Sequence, residues 1–210
     1  MADFERFGPE VVLDRPAFVH PTALAYGRVR IGEGASIWPH AVMRAEAEEV
    51  VVGPMSNVQD FAMLHVGRGA PTIIGAYCSI THHATVHGAT IGDDTLIGIN
   101  ATLMDGVVVG SRCIVAGGAF LPEDMQVPDD SVVMGMPARV VARRNCFRQT
   151  RRNALVYHRN ALAYARGDHR AWSGEDYDTW LSRTDAEIDE EFRRRFPSEA
   201  GPSEADKETS

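Results

Sequence analysis

"IGDDTLIGINATLMDGVVVGSRCIVAGGAFL", residues 91–121, carries an aliphatic side chain at every sixth position: Ile91, Ile97, Leu103, Val109, Val115 and Leu121. A helix repeats at about 3.6 residues and a strand at about 2, and neither period reproduces that spacing. The pattern extends both ways. Val127 and Val133 continue it, and upstream the sets Ile31, Ile37, Met43, then Val52, Val58, Leu64, then Ile74, Ile80, Val86 keep the same step. A glycine often follows the aliphatic (Gly32, Gly53, Gly75, Gly92, Gly98, Gly110), and a small residue often stands four places after it, as at Ala35, Ser56, Cys78, Thr95, Cys113 and Ser131.

A period of six is one short strand plus one corner, repeated, which is the pattern of a parallel β-helix. Three repeats, about eighteen residues, close one triangular coil, and successive coils stack at roughly the 4.8 Å strand spacing. The aliphatics point inward, the small residues fit under the turns, and the glycines are expected to relieve the corner backbone. Cys78 and Cys113 fall in small inward slots and are expected to be core residues.

The chain has 210 residues, enough for one domain with an appendage. Residues 1–17 are expected to form an N-terminal arm and 18–137 the β-helix. Pro137 is expected to stop the coil and open a helix, giving a helical segment over 138–196 with Val141, Leu155, Leu162 and Tyr164 as packing residues. A second helix is expected around 174–196, interrupted at Thr184–Glu187, where "TDAE" reads as a capping box. Residues 197–210 are polar and acidic and are expected to be disordered.

A formal charge of −8 argues against a general nucleic-acid binder, because phosphate requires a basic surface. Three cysteines without C-x-x-C spacing fit neither a disulfide framework nor a thiolate zinc site. No apolar leader or membrane-length run is present, so the expected setting is cytoplasmic, with no membrane partner.

Within the repeat, "SITHHATVHG" (79–88) holds three of the eight histidines. His65 follows Leu64 and His87 follows Val86, so both occupy the same outward slot. They are 22 residues apart, one coil plus four, and the four extra residues are accounted for by "GRGAP" (67–71). The two rings should therefore stack on adjacent coils. Nitrogens bound to one zinc lie about 3.3 Å apart, within reach of such a pair. His82 lies around a corner from them. If three prisms pack about a threefold axis, His82 of a neighbouring chain can complete the site, giving a homotrimer with shared ligands.

The segments "NVQDFAMLHV" (57–66), "ITHHATVHG" (80–88) and "VVMGMPARVV" (132–141) resemble those of the γ-class carbonic anhydrase family of hexapeptide proteins, over roughly residues 18–165. The resemblance implies a left-handed β-helix and a metal held by His65, His82 and His87. Zinc is the implied metal; Fe2+ and Co2+ also suit imidazole. It implies reversible hydration of CO2 to bicarbonate by a metal-bound hydroxide at the subunit interface, with the rate left open by the departures below. Gln59 and Asn57 are then candidates for orienting CO2 or hydroxide. Arg44 and Asp60 resemble an ion pair near the subunit contact, with Arg44 also suited to bicarbonate, and Tyr157 resembles a tyrosine that approaches the site. Arg44 and Asp60 have a structural alternative in an interface polar network, and Tyr157 in helix packing. His83 stands where the family commonly has glycine and is left out of the ligand set.

Two departures bear on turnover. "RAE" (44–46) replaces the family's Arg-Gly-Asp, so Glu46 carries one methylene more than the usual acid. The "GRGAP" loop is short and lacks the glutamate that archetypal members place there, which leaves proton export to Glu46, His83 or buffer. Two other functions fit a hexapeptide prism. One is a CoA-dependent acyltransferase with Arg143, Arg144, Arg148, Arg151 and Arg152 on the phosphates. The other is a catalytically silent metal-binding trimer.

Overall fold

A computed structural model describes residues 5–199, and residues 200–210, most of the expected tail, lie outside the described part. The chain winds into a three-faced parallel β-helix. The first face carries Met63–His65, Thr85–His87, Thr102–Leu103 and Phe120–Leu121. The second carries Thr72–Ile74, Thr90–Ile91, Val108–Val109 and Gln126–Val127. Two long strands, Leu24–Ile31 and Val42–Val52, cross from the first face to the second. The third face runs from Phe18–Val19 through Ser36–Ile37, Asn57–Val58, Ser79–Ile80, Leu96–Ile97 and Ile114–Val115 to Ser131–Gly135.

The six-residue pattern has its expected physical consequence. Ile31, Ile37, Met43, Leu64, Ile80, Val86, Ile97, Leu103 and Leu121 have no measurable exposure and form one continuous core with Cys78 and Cys113. The ladder starts earlier than residue 18: Val12–Leu13 pairs with Arg30 and Ile31, and Phe7 and Val11 pack on the core.

The glycines act differently from the expectation. Those after the aliphatics do not sit at left-handed φ. They are required because the next coil approaches too closely for a side chain: a Cβ on Gly53 would lie 2.3 Å from the Gly75 carbonyl oxygen. The left-handed corners are held mostly by larger residues, with glycine at Gly34, Gly88, Gly106 and Gly118. Met55, Tyr77, Asp94, Arg112 and Asp130 form one such column, with φ between 54° and 59°. His40, Phe61, His83 and Asn100 form another, with φ of 58–60°. Within each column the corner N–H groups donate to carbonyls one coil back, as Tyr77 does to Pro54 and His83 to Asp60.

The C-terminal segment departs from expectation at its start. Pro137 lies in the turn of an antiparallel hairpin, Ser131–Gly135 against Ala138–Arg143, and no helix begins there. The hairpin pairs the last third-face strand, whose outer edge would otherwise be open. Helix α1 is Phe147–Tyr164 and helix α2 is Glu175–Arg195. α2 passes through "TDAE" without a break, with Thr184 buried. Val141 and Leu162 are largely exposed, whereas Leu155 packs on Phe147, Ile188 and Phe192.

α1 lies along the third face of its own prism, over the strands beginning at Phe18, Ser36, Asn57 and Ser79. Trp38, Tyr157 and Ala161 bury the contact, joined by Phe18 and Tyr164. A buried ion pair anchors it: Arg151 reaches both oxygens of Asp94, at 2.7 and 3.1 Å, and also binds Glu191 of α2 at 3.0 Å. No helix among the described residues is long and apolar enough to cross a membrane.

Candidate metal centre

The strand Met63–His65 alternates outward, inward, outward, so burying Leu64 turns His65 out of the prism. Thr85–His87 repeats the pattern around Val86, and the ladder registers His87 directly on His65. The imidazoles meet edge to face with ring centroids 4.8 Å apart. Buried Thr72 ties the two coils together. Its hydroxyl donates to the His65 carbonyl and accepts the Gly88 N–H at 3.0 Å.

Each ring also has a carboxylate on its outer side. Glu46 Oε2 lies 3.1 Å from His65 Nε2, and Asp105 Oδ1 lies 2.5 Å from His87 Nδ1. The inner nitrogens, His65 Nδ1 and His87 Nε2, face each other at 2.9 Å. The result is a column of acid, histidine, histidine, acid over four coils. A carboxylate only accepts, so each takes the single N–H of a neutral imidazole. The two inner nitrogens then present lone pairs to each other, and a gap of that kind requires a shared proton or a cation. The donor set therefore fits a metal. Tetrahedral zinc spaces its nitrogens about 3.3 Å apart, a small ring rotation from the observed gap.

Arg44 registers beside His65 on the preceding coil and pairs with Glu46. Burial works against the Glu46 charge, but its backbone N–H, Arg44 and His65 outweigh it and hold the carboxyl below its usual range. The longer Glu46 thus reaches the histidine column despite replacing the family's aspartate.

His82 stands at the corner between the third and first faces. Its Nδ1 lies 3.1 Å from Asp60 Oδ2, and its Nε2 lies 3.3 Å from the Tyr157 hydroxyl. It borders a cavity of about 270 Å³ walled by Trp38, Tyr157, Tyr164 and Trp172. Burial, with Asp60 adding to it, pushes the Tyr157 hydroxyl up to about 12, so it stays a neutral phenol near pH 7. Within one chain, no three His, Cys, Asp or Glu side chains among the described residues converge on a metal-sized point. His65 and His87 belong to one wall and His82 to a different corner.

The remaining candidates are distributed around these two half-sites. Arg44 and Asp60 do not meet within the chain, being engaged by Glu46 and His82 respectively. Gln59 and Asn57 are buried on the third face. Gln59 Nε2 donates to Asn57 Oδ1 at 2.9 Å, Asn57 Nδ2 to Ser79 Oγ at 3.0 Å, and Ser79 Oγ to Asn153 of α1 at 2.7 Å. That polar ladder seats α1, and it does not touch His65 in the same chain. His83 turns into an aromatic stack, with ring centroids 4.9 Å for His40–Phe61 and 5.0 Å for Phe61–His83. Its φ of 58° is a conformation that glycine adopts without strain. Asp105 is the residue that the sequence reading missed. It stands 18 residues after His87, one residue past the slot that follows Leu103, since Val86 registers on Leu103 in the next coil.

The basic run is largely occupied. Arg148 pairs with Asp189, Arg151 with Asp94 and Glu191, and Arg152 with Asp185. Arg148 and Arg152 tie α2 to α1 and Arg151 ties both to the prism, so these three do not form a free phosphate-binding surface.

Comparison with known proteins agrees with this architecture. Residues 88–122 match the family model described as bacterial transferase hexapeptide (six repeats). The chain is 42% identical to γ carbonic anhydrase 1, mitochondrial, of Arabidopsis thaliana over 139 residues, which is 63% of this chain and 50% of that protein. It thus spans half the length of that plant relative. It is 39% identical over 119 residues to a probable carbonic anhydrase of Methanocaldococcus jannaschii, covering 57% of this chain and 75% of that one. Among solved structures, a hexapeptide transferase family protein from Anaplasma phagocytophilum superposes with a TM-score of 0.67 at 27% identity, over 77% of this chain and 95% of that one. The repeat, the stacked histidine pair and these relatives together show that the chain belongs to the γ-carbonic-anhydrase-like family of hexapeptide-repeat proteins.

Proposed function

We propose that the protein is a zinc-dependent carbonic anhydrase of the γ type, interconverting CO2 and bicarbonate at sites shared between the chains of a homotrimer. The observation that carries this reading is the column Glu46–His65–His87–Asp105, whose inner nitrogens face each other at 2.9 Å with both outer nitrogens taken by carboxylates. His82 supplies the third imidazole from the neighbouring chain. The wall bearing His65 and His87 differs from the corner bearing His82, so the contact is head-to-tail, and such contacts close into rings.

A divalent metal held by three neutral imidazoles supplies Lewis acidity that brings the pKa of water toward 7. The protein groups have separate tasks. Asp60 orients His82 through Nδ1, leaving Nε2 toward the site. Arg44 places a guanidinium at the rim, where it attracts bicarbonate. Glu46, ionised and half exposed, accepts the His65 Nε2–H and holds that ring. Trp38 and Tyr157 wall the cavity that His82 borders.

The test is metal analysis of untagged protein, light scattering for mass, and stopped-flow CO2 hydration. About one zinc per chain in a trimer, with hydration lost in His82→Ala, is the expected result. A trimer that stays empty after zinc and anaerobic iron reconstitution sinks the reading.

A further inference from the structure

We propose that Asp105 is the positioning residue of His87: its carboxylate accepts the Nδ1–H and so fixes the tautomer in which Nε2 carries the free lone pair. The purpose of this arrangement, presenting Nε2 to a metal, rests on the reading above, but the arrangement itself does not.

Three observations support it. First, Asp105 Oδ1 is 2.5 Å from His87 Nδ1, the shortest of the contacts that the three histidines make with carboxylates. Second, the fold makes room for this carboxylate. A Cβ on Gly67 would lie 2.4–2.5 Å from the Asp105 carboxyl atoms, and one on Gly88 would lie 2.3 Å from Oδ1. Real side chains do not make such contacts, so the two glycines form a cradle that only an uncrowded carboxylate fits. Third, the cradle is tied into the coil stack. Gly106 N–H donates to the Gly88 carbonyl at 2.9 Å, and Gly67 exchanges backbone bonds with Ala70. Asp105 therefore arrives from the coil above, over the short "GRGAP" loop that itself carries no acid.

The same logic recurs at the other rings. Glu46 occupies Nε2 of His65 and Asp60 occupies Nδ1 of His82. Each imidazole has one nitrogen held by a carboxylate and one left over. An outer partner of this kind fixes ring orientation and tautomer, and its loss from a metal site typically weakens metal binding by about 10–100-fold.

The test compares wild type with Asp105→Ala, Asp105→Asn and Gly67→Ala. The readouts are histidine side-chain 15N NMR of the metal-free protein and zinc affinity by chelator competition. In wild type, His87 should carry its proton on Nδ1. Asp105→Ala should lose that preference and weaken zinc binding by about 10–100-fold. Asp105→Asn retains an acceptor oxygen and should rescue most of both. Gly67→Ala should reproduce the Ala phenotype by displacing the flexible carboxylate while thermal melting confirms the fold. The proposal is overturned if wild-type His87 lacks a proton on Nδ1, or if Asp105→Ala leaves both tautomer and zinc affinity unchanged. An Asp105-dependent tautomer in a protein that takes up no zinc would uphold the positioning role and overturn the metal reading.

Discussion

His65 and His87, 22 residues apart in sequence, face each other through Nδ1 and Nε2 at 2.9 Å because one coil of the β-helix separates them. His82, only five residues before His87, shares no partner with either. On the proposed reading each of His65, His82 and His87 supplies one of three donors, so removing any one of them should abolish metal binding equally. Metal content of the three alanine variants checks this. His83→Ala should retain the metal, because its ring is engaged in the stack with Phe61. If His83→Ala loses metal and His82→Ala keeps it, the wrong histidine has been assigned.

Arg151 and Asp94 join α1 to the prism through a buried two-point contact. Arg151→Ala leaves the buried Asp94 carboxylate with only the more distant Arg195, at 3.7 Å, and should cost roughly 3–5 kcal/mol of stability. Removing Asp94 in the Arg151→Ala background should cost much less than removing it alone. Denaturant titration of the four proteins measures that coupling, and additive losses would refute the paired role.

The three cysteines are free and buried. Burial pushes the Cys78 thiol up to about 12 and raises Cys113 as well. Thiolate is the reactive form, so at pH 8 these two remain S–H. A colorimetric thiol reagent should detect no thiol in the native protein and three after unfolding, a count that follows from the sequence. Rapid modification of one native thiol would show that the coil stack opens at that level.

Gly53 lies against the Gly75 carbonyl of the next coil. Gly53→Ala forces two backbones apart and should destabilise by about 1–3 kcal/mol, as overpacking does. Thermal unfolding reads the loss. An unchanged midpoint would mean that the coils yield freely at that position.

The six-residue period, the inward aliphatics and the stacking of His65 on His87 were legible in the sequence, because each follows from counting along a solenoid whose contacts repeat at a constant offset. The "GRGAP" insertion even set the register of the pair. Three features were not legible. Asp105 joins the site by lying over Gly88 rather than by sharing the histidine slot, so no period points to it. The hairpin at Ser131–Arg143, where a helix was expected, forms because the last coil leaves an edge that must be paired, a demand of the assembled sheet rather than of the local residues. The glycines after the aliphatics serve inter-coil distance, while Met55, Tyr77, His83 and Arg112 hold the left-handed corners. Sequence alone determined the period and therefore the coil, since side-chain burial depends on spacing. The tertiary structure decided which polar groups meet across coils, since hydrogen bonding depends on where each coil sets its neighbour.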